Sequence, residues 1–149
     1  MSFSKDPNIL RSIILHHYEN PSQKVENIDS ITFHNSFQNK SSTCIDDITV
    51  YINVENNVIT NVNFSGLGCA ISTASTNIMA LYLVGKDIDT ANKIINNYIN
   101  MTLGQDYNEE LLDELIAFYN VHNQSNRIKC AQIGINAIKE CLKKFNNEK

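Results

Sequence analysis

Apolar positions at the start of the chain repeat at helical spacing: Ile9, Leu10, Ile13 and Ile14, with His17 closing the stripe. Asp6 offers an N-cap and Pro7 a first helical residue, and the pattern stops near Asn20 and Pro21. This predicts an amphipathic helix of about four turns. From Ile31 the period changes to two. Ile31, Phe33, Asn35 and Phe37 alternate, then Ile48, Val50, Ile52 and Val54, then Val58, Thr60, Val62 and Phe64. Asn56 and Asn57 supply turn residues between the last two runs. Those runs read as a β-hairpin, and all three as a small three-stranded antiparallel sheet.

After Cys69 the pattern is helical to the end. Residues 70–83 form one predicted helix, with Ala74, Ile78 and Leu81 on one side and Gly85 near its end. Asp87 or Asp89 caps the next, whose Ala91, Ile94, Ile95 and Tyr98 share a stripe, and Gly104 breaks it. Asn108 then caps a helix through Tyr119 that buries Leu111, Leu112, Leu115 and Ile116. Ser125 or Asn126 opens a last helix carrying Ala131, Ile135, Ile138, Leu142 and Phe145. Strands first and helices afterwards predict an α+β fold, with the helices packed on one face of the sheet. No linker or repeat divides the chain, so residues 1–149 read as one domain.

Charge narrows the function. A net charge of −4 argues against nucleic-acid binding. Lysines cluster only at Lys139, Lys143 and Lys144, on what reads as a solvated helix face. No apolar run is long enough to span a membrane, and Met1 to Pro7 lacks the basic start and apolar middle of a signal peptide. The expectation is a cytoplasmic protein without membrane partners.

In that setting four cysteines point to metal or thiol chemistry more than to disulfides. No Cys-x-x-Cys pair occurs, so any metal site must be assembled by the tertiary fold. The segment 64–75, Phe-Ser-Gly-Leu-Gly-Cys-Ala-Ile-Ser-Thr-Ala-Ser, joins the last strand to the helix beyond it. Gly66 and Gly68 read as residues of a tight turn. Cys69 then stands at a helix start, where unpaired N–H groups favour a thiolate. Cys44 precedes the second strand and Cys130 falls in the first turn predicted for the last helix. A single buried cysteine is more often a small hydrophobe. Helices laid over the sheet would nevertheless bring these three together at one end, with Asp46 two residues from Cys44. Three thiolates and a carboxylate suit tetrahedral zinc, or iron with bridging sulfide. Cys141 lies three helical turns beyond Cys130 and reads as inert core. His16 and His17 are adjacent and diverge on a helix, so one covers the core edge and the other faces water. His34 reads as a surface histidine.

Segment 64–75 resembles the central motif of the SufU/IscU (NifU N-terminal domain) family of iron–sulfur cluster assembly proteins. His17-Tyr18-Glu19-Asn20-Pro21, Thr43-Cys44-Ile45-Asp46 and Arg127-Ile128-Lys129-Cys130 resemble three further family motifs, in the family's order. Ile45 stands where the family carries glycine; either the turn there uses negative φ or the loop is rebuilt. Asp47 is a possible substitute ligand. Lys129 replaces the histidine of IscU-type scaffolds, the interval from Cys69 to Cys130 is long, and no Leu-Pro-Pro-Val-Lys motif occurs. All three features match the SufU branch.

The resemblance implies zinc held by Cys44, Asp46, Cys69 and Cys130. It implies persulfide sulfur taken from a pyridoxal-phosphate-dependent cysteine desulfurase of the SufS type, in company with other SUF assembly proteins. Cys44, on a loop, is the expected acceptor, working with the desulfurase rather than as an independent catalyst. Arg127 would steady the anionic cluster, meet the desulfurase, or be a plain surface arginine. The alternative expectation is a scaffold on which the same cysteines carry iron as a [2Fe–2S] cluster.

Overall fold

The computed structural model describes residues 6–27, 29, 31–42 and 45–147. Its elements run α1 (Pro7–Glu19), β1 (Asn35–Lys40), β2 (Asp47–Glu55), β3 (Val58–Leu67), α2 (Ala70–Leu83) and α3 (Ile88–Thr102). Two 3₁₀ segments, Glu109–Leu111 and Asp113–Asn123, then lead into α4 (Ser125–Asn147). The strands form an antiparallel sheet in the order β1-β2-β3. Helix α4 packs on β1 and β2, and α2 on β3. The α+β architecture and the sheet agree with the sequence expectation.

The predicted caps hold. The Asp6 carboxylate accepts from the Asn8 N–H at 2.9 Å, with Pro7 opening α1. Along α1, Leu10 and His17 are buried, whereas Ile9 is 46% exposed. Adjacent residues on a helix cannot both face one neighbour, and α1 packs mainly against α2 and the second 3₁₀ segment. Asn56 and Asn57 turn the hairpin at φ 53° and 66°, values that asparagine tolerates better than most residues.

Two strand expectations shift. The predicted alternation Val58, Thr60, Val62, Phe64 breaks, because a bulge opposite Asn53 and Val54 moves the register and buries Ile59 in place of Thr60. The first strand covers Asn35–Lys40 rather than beginning at Ile31. Here side chains end the ladder: the His34 ring accepts the Val54 N–H at 3.2 Å, and the Asn53 amide donates to the Thr32 carbonyl at 2.8 Å. Phe33, outside the strand, lies over Tyr51 with ring centroids 4.9 Å apart.

Helix α2 is the centre of the fold. Every residue from Ser72 to Ala80 is buried, whereas Leu81, expected on its apolar side, is 43% exposed. Helix α3 starts at the Asp87 cap and ends before Gly104 at φ 74°. The helix expected from Asn108 to Tyr119 is instead two 3₁₀ segments, interrupted where Asp113 takes φ 50°. Leu112, Leu115 and Ile116 are buried there, but Leu111 is 37% exposed. Apolar spacings of three and four fit either helix type, so the pattern did not separate them. Helix α4 buries Ala131, Ile135, Ile138 and Leu142 as expected. Cys130 is in its second turn rather than its first.

Candidate metal centre

Three chain segments meet at one end of the sheet. Antiparallel pairing places Asp47 opposite Leu67, which sets the residues before β2 beside those after β3. The approach is close: a Cβ on Gly66 would lie 2.0 Å from the Asp47 carbonyl oxygen, and Gly66 has φ +112°. Gly66 is not in the expected turn but inside β3, paired with Ile48; glycine is required there by the positive φ and by the close Asp47 backbone. Gly68 differs. Its φ is not positive; a Cβ there would instead sit 2.4 Å from the Ser72 hydroxyl oxygen. Cys69 is the N-cap of α2, its Sγ accepting from the Ser72 N–H at 3.5 Å. Helix α4 crosses α2 closely enough that a Cβ on Gly134 would lie 1.7 Å from Thr76 Oγ1, and this crossing brings Cys130 over the start of α2.

The result is a cluster of Asp46, Cys69 and Cys130 whose ligand atoms lie within 4.8 Å of one another. It is the group of this kind found among the described residues. Asp46 is 1% exposed, and its Oδ1 accepts from the Cys69 N–H at 3.0 Å and the Ser72 hydroxyl at 3.2 Å. Cys69 is half-buried and Cys130 is 8% exposed. Burial, then the neighbouring Cys69 and Asp46, push the Cys130 thiol up to about 12. A carboxylate and two sulfurs this close repel one another as anions, and a divalent cation relieves that repulsion. The donor set therefore fits zinc or an iron–sulfur cluster. Thr43 and Cys44 lie outside the described residues.

Other expected residues stand apart. Asp47 begins β2, accepts from the Gln38 amide at 2.9 Å and is not a member of the Asp46–Cys69–Cys130 group. Ile45 is 75% exposed and so fills no space inside the cluster. Arg127 is exposed. Cys141 is fully buried in the core, and burial raises its thiol to about 12. His34 is exposed as expected. Of the adjacent pair, His16 is exposed and His17 buried, but His17 serves neither the cluster nor packing alone. Asn77 Oδ1 accepts from the Gln23 N–H at 2.8 Å, so its amide group donates to His17 Nδ1 at 2.9 Å. Nε2 of His17 then donates to Glu114 at 3.2 Å. Beside the cluster opens a cleft of about 240 Å³, with Lys40, Ser41, Ser42, Lys129 and Gln132 in its walls.

Sequence reasoning missed Ser72. No local signal marks it, because the partner of its hydroxyl, Asp46, lies 26 residues away in the chain.

The NifU-like N-terminal domain model matches residues 10–149. The chain is 32% identical to the zinc-dependent sulfurtransferase SufU of Bacillus subtilis strain 168 over 97% of both chains. It is 30% identical to the iron–sulfur cluster assembly scaffold protein IscU of Thermotoga maritima, over 73% of this chain and 77% of that one. A SUF-system iron–sulfur cluster assembly scaffold protein from Fervidobacterium islandicum AW-1 has a similar crystal structure, with a TM-score of 0.79 and 31% identity. That match covers 94% of this chain and 96% of the other. With the cluster at the end of the sheet, the order of the motifs and likeness over nearly the whole length, the chain belongs to the NifU-like N-terminal domain family that includes SufU and IscU.

Proposed function

We propose that this protein works in iron–sulfur cluster assembly as a zinc-dependent sulfur-transfer partner. It takes persulfide sulfur on Cys44 from a pyridoxal-phosphate-dependent cysteine desulfurase of the SufS type. The observation that carries the reading is the buried Asp46–Cys69–Cys130 cluster, in a chain alike over 97% of its length to a zinc-dependent sulfurtransferase. Cys44, Asp46, Cys69 and Cys130 would hold the ion, which supplies a positive charge that keeps the thiols deprotonated.

The roles of the cysteines follow from their anchoring. Cys69 is fixed as the cap of α2 and Cys130 is buried on α4, so neither suits an encounter with a large donor. Cys44 falls in sequence between the end of β1 and the start of β2. Its thiolate attacks the outer sulfur of the desulfurase cysteine persulfide. A new S–S bond forms on Cys44, the donor's S–S bond breaks, and its electron pair leaves with the desulfurase thiolate. No net oxidation occurs. Ile45, beside Asp46 in sequence, and Leu67, two residues before Cys69, are 75% and 67% exposed and offer apolar surface for that contact. Further SUF proteins would receive the sulfur, in the cytoplasm. Among the described residues no helix is long and apolar enough to cross a membrane.

The test is intact-mass spectrometry after incubation with a SufS-type desulfurase and cysteine. Wild type should gain a sulfur and Cys44→Ala should not; equal gain in both would remove Cys44 as acceptor. The IscU-named relative favours a second reading, a scaffold carrying a [2Fe–2S] cluster on the same residues. A cluster chromophore without persulfide on Cys44 would select that reading.

A further inference from the structure

Ser72 touches two of the three clustered residues. Its N–H faces Cys69 Sγ at 3.5 Å, and its hydroxyl oxygen lies 3.2 Å from Asp46 Oδ1 and 3.1 Å from the Cys69 carbonyl oxygen. One proton serves two acceptors. The Cys69 carbonyl already accepts from the Thr73 N–H at 2.9 Å, and a hydrogen bond to a carboxylate is the stronger of the two, so the proton belongs to Asp46. The side chain is fully buried, where no water can replace that bond. Ser72 is also held from behind: its carbonyl accepts from Thr76 Oγ1 at 2.7 Å and Ser75 Oγ at 3.2 Å.

Gly68 completes the arrangement. Its missing Cβ is what leaves room for the serine oxygen, since a Cβ would stand 2.4 Å from it. The glycine and the serine, four positions apart in the motif, thus fix one hydroxyl against one carboxylate.

We propose that Ser72 is the positioning residue of the metal centre: its hydroxyl, in the space left by Gly68, orients Asp46 and so sets how tightly the ion is held. The inference rests on the reading of Asp46 as a metal ligand. A hydrogen-bond partner behind a ligating carboxylate fixes its rotamer, and losing such a partner weakens metal binding by about 10- to 100-fold.

The experiment uses the full chain and four variants: Ser72→Ala, Gly68→Ala, the double variant, and Ser72→Thr. Zinc affinity is measured by competition with a chromophoric chelator, and cobalt(II) absorption reports the ligand field around the ion. Thermal unfolding of the metal-free proteins establishes that each variant is folded. Ser72→Ala should lose about 10- to 100-fold in zinc affinity and shift the cobalt bands. Gly68→Ala should reproduce both effects by displacing the hydroxyl. The double variant should lose less than the sum of the two single losses, because without the serine oxygen the tightest contact left to the added methyl is Thr73 Oγ1 at 3.2 Å. Ser72→Thr, which keeps a hydroxyl, should recover affinity.

Three results would overturn the inference: wild-type affinity in Ser72→Ala, weakened affinity with wild-type cobalt bands, or additive losses in the double variant. A wild-type chain that takes up neither ion would overturn the metal reading itself, and this inference with it.

Discussion

Two glycines in one motif answer to different constraints. Gly66 adopts a φ that other residues resist and lies against the Asp47 backbone; Gly68 needs no positive φ and is small because Ser72 needs the space. Both read as turn glycines from sequence, since spacing reveals that a position must be small or flexible but not which. Cysteines divide in a similar way. Cys141 is fully buried among core residues, and its thiol rises from an ordinary 9.0 to about 12 because burial disfavours the thiolate more than the Lys144 charge favours it. Between those values the unfolded chain releases the proton and the folded chain keeps it, so stability falls as pH rises through that window. Urea titrations from pH 8 to 11 should show this fall, and a Cys141→Ala variant should show a shallower one. Equal slopes would mean that the thiolate of Cys141 is not excluded from the folded state.

At the scale of elements, the crossing of α2 and α4 sets the relative position of Cys69 and Cys130. Gly134 sits inside α4, where glycine disfavours a helix, because Thr76 occupies the place of its side chain. Replacement by alanine would gain about 1 kcal/mol on an exposed helix face. Here the added methyl should cost about 1–3 kcal/mol or more, through Thr76 and its bond to the Ser72 carbonyl. Chemical denaturation gives the sign, and a stabilised variant would contradict the close crossing. Elements with strong local signals were legible in the sequence: α1 with its Asp6 cap, the Asn56-Asn57 hairpin, and α2 from Ala70 to Leu83. The departures arose where a neighbouring element decides. The bulge in β3 depends on pairing with β2, β1 is cut short by His34 and Asn53, and the 3₁₀ segments share their apolar spacing with an α-helix.

Across the whole molecule, residues 46, 69 and 130 come together only because a hairpin and a helix crossing coincide at one end of the sheet. Residue types and motif order pointed to that meeting; its distances and its hydrogen bonds depend on side-chain packing that spacing does not encode. Ser72 is the case in point, an ordinary helix-start serine in sequence and the partner of Asp46 in the fold. The surroundings suit a protein that meets another: Ile45, beside Asp46 in sequence, and Leu67, two residues before Cys69, are exposed, and Lys40 and Lys129 line the cleft beside the cluster.

The central claim is that this junction holds zinc through Cys44, Asp46, Cys69 and Cys130. X-ray absorption at the zinc edge of the purified protein tests it most directly. Three sulfur ligands at about 2.3 Å and one oxygen at about 2.0–2.2 Å are predicted, with one sulfur fewer in Cys44→Ala. A protein without zinc, or a wild-type shell with fewer than three sulfurs, would contradict the account.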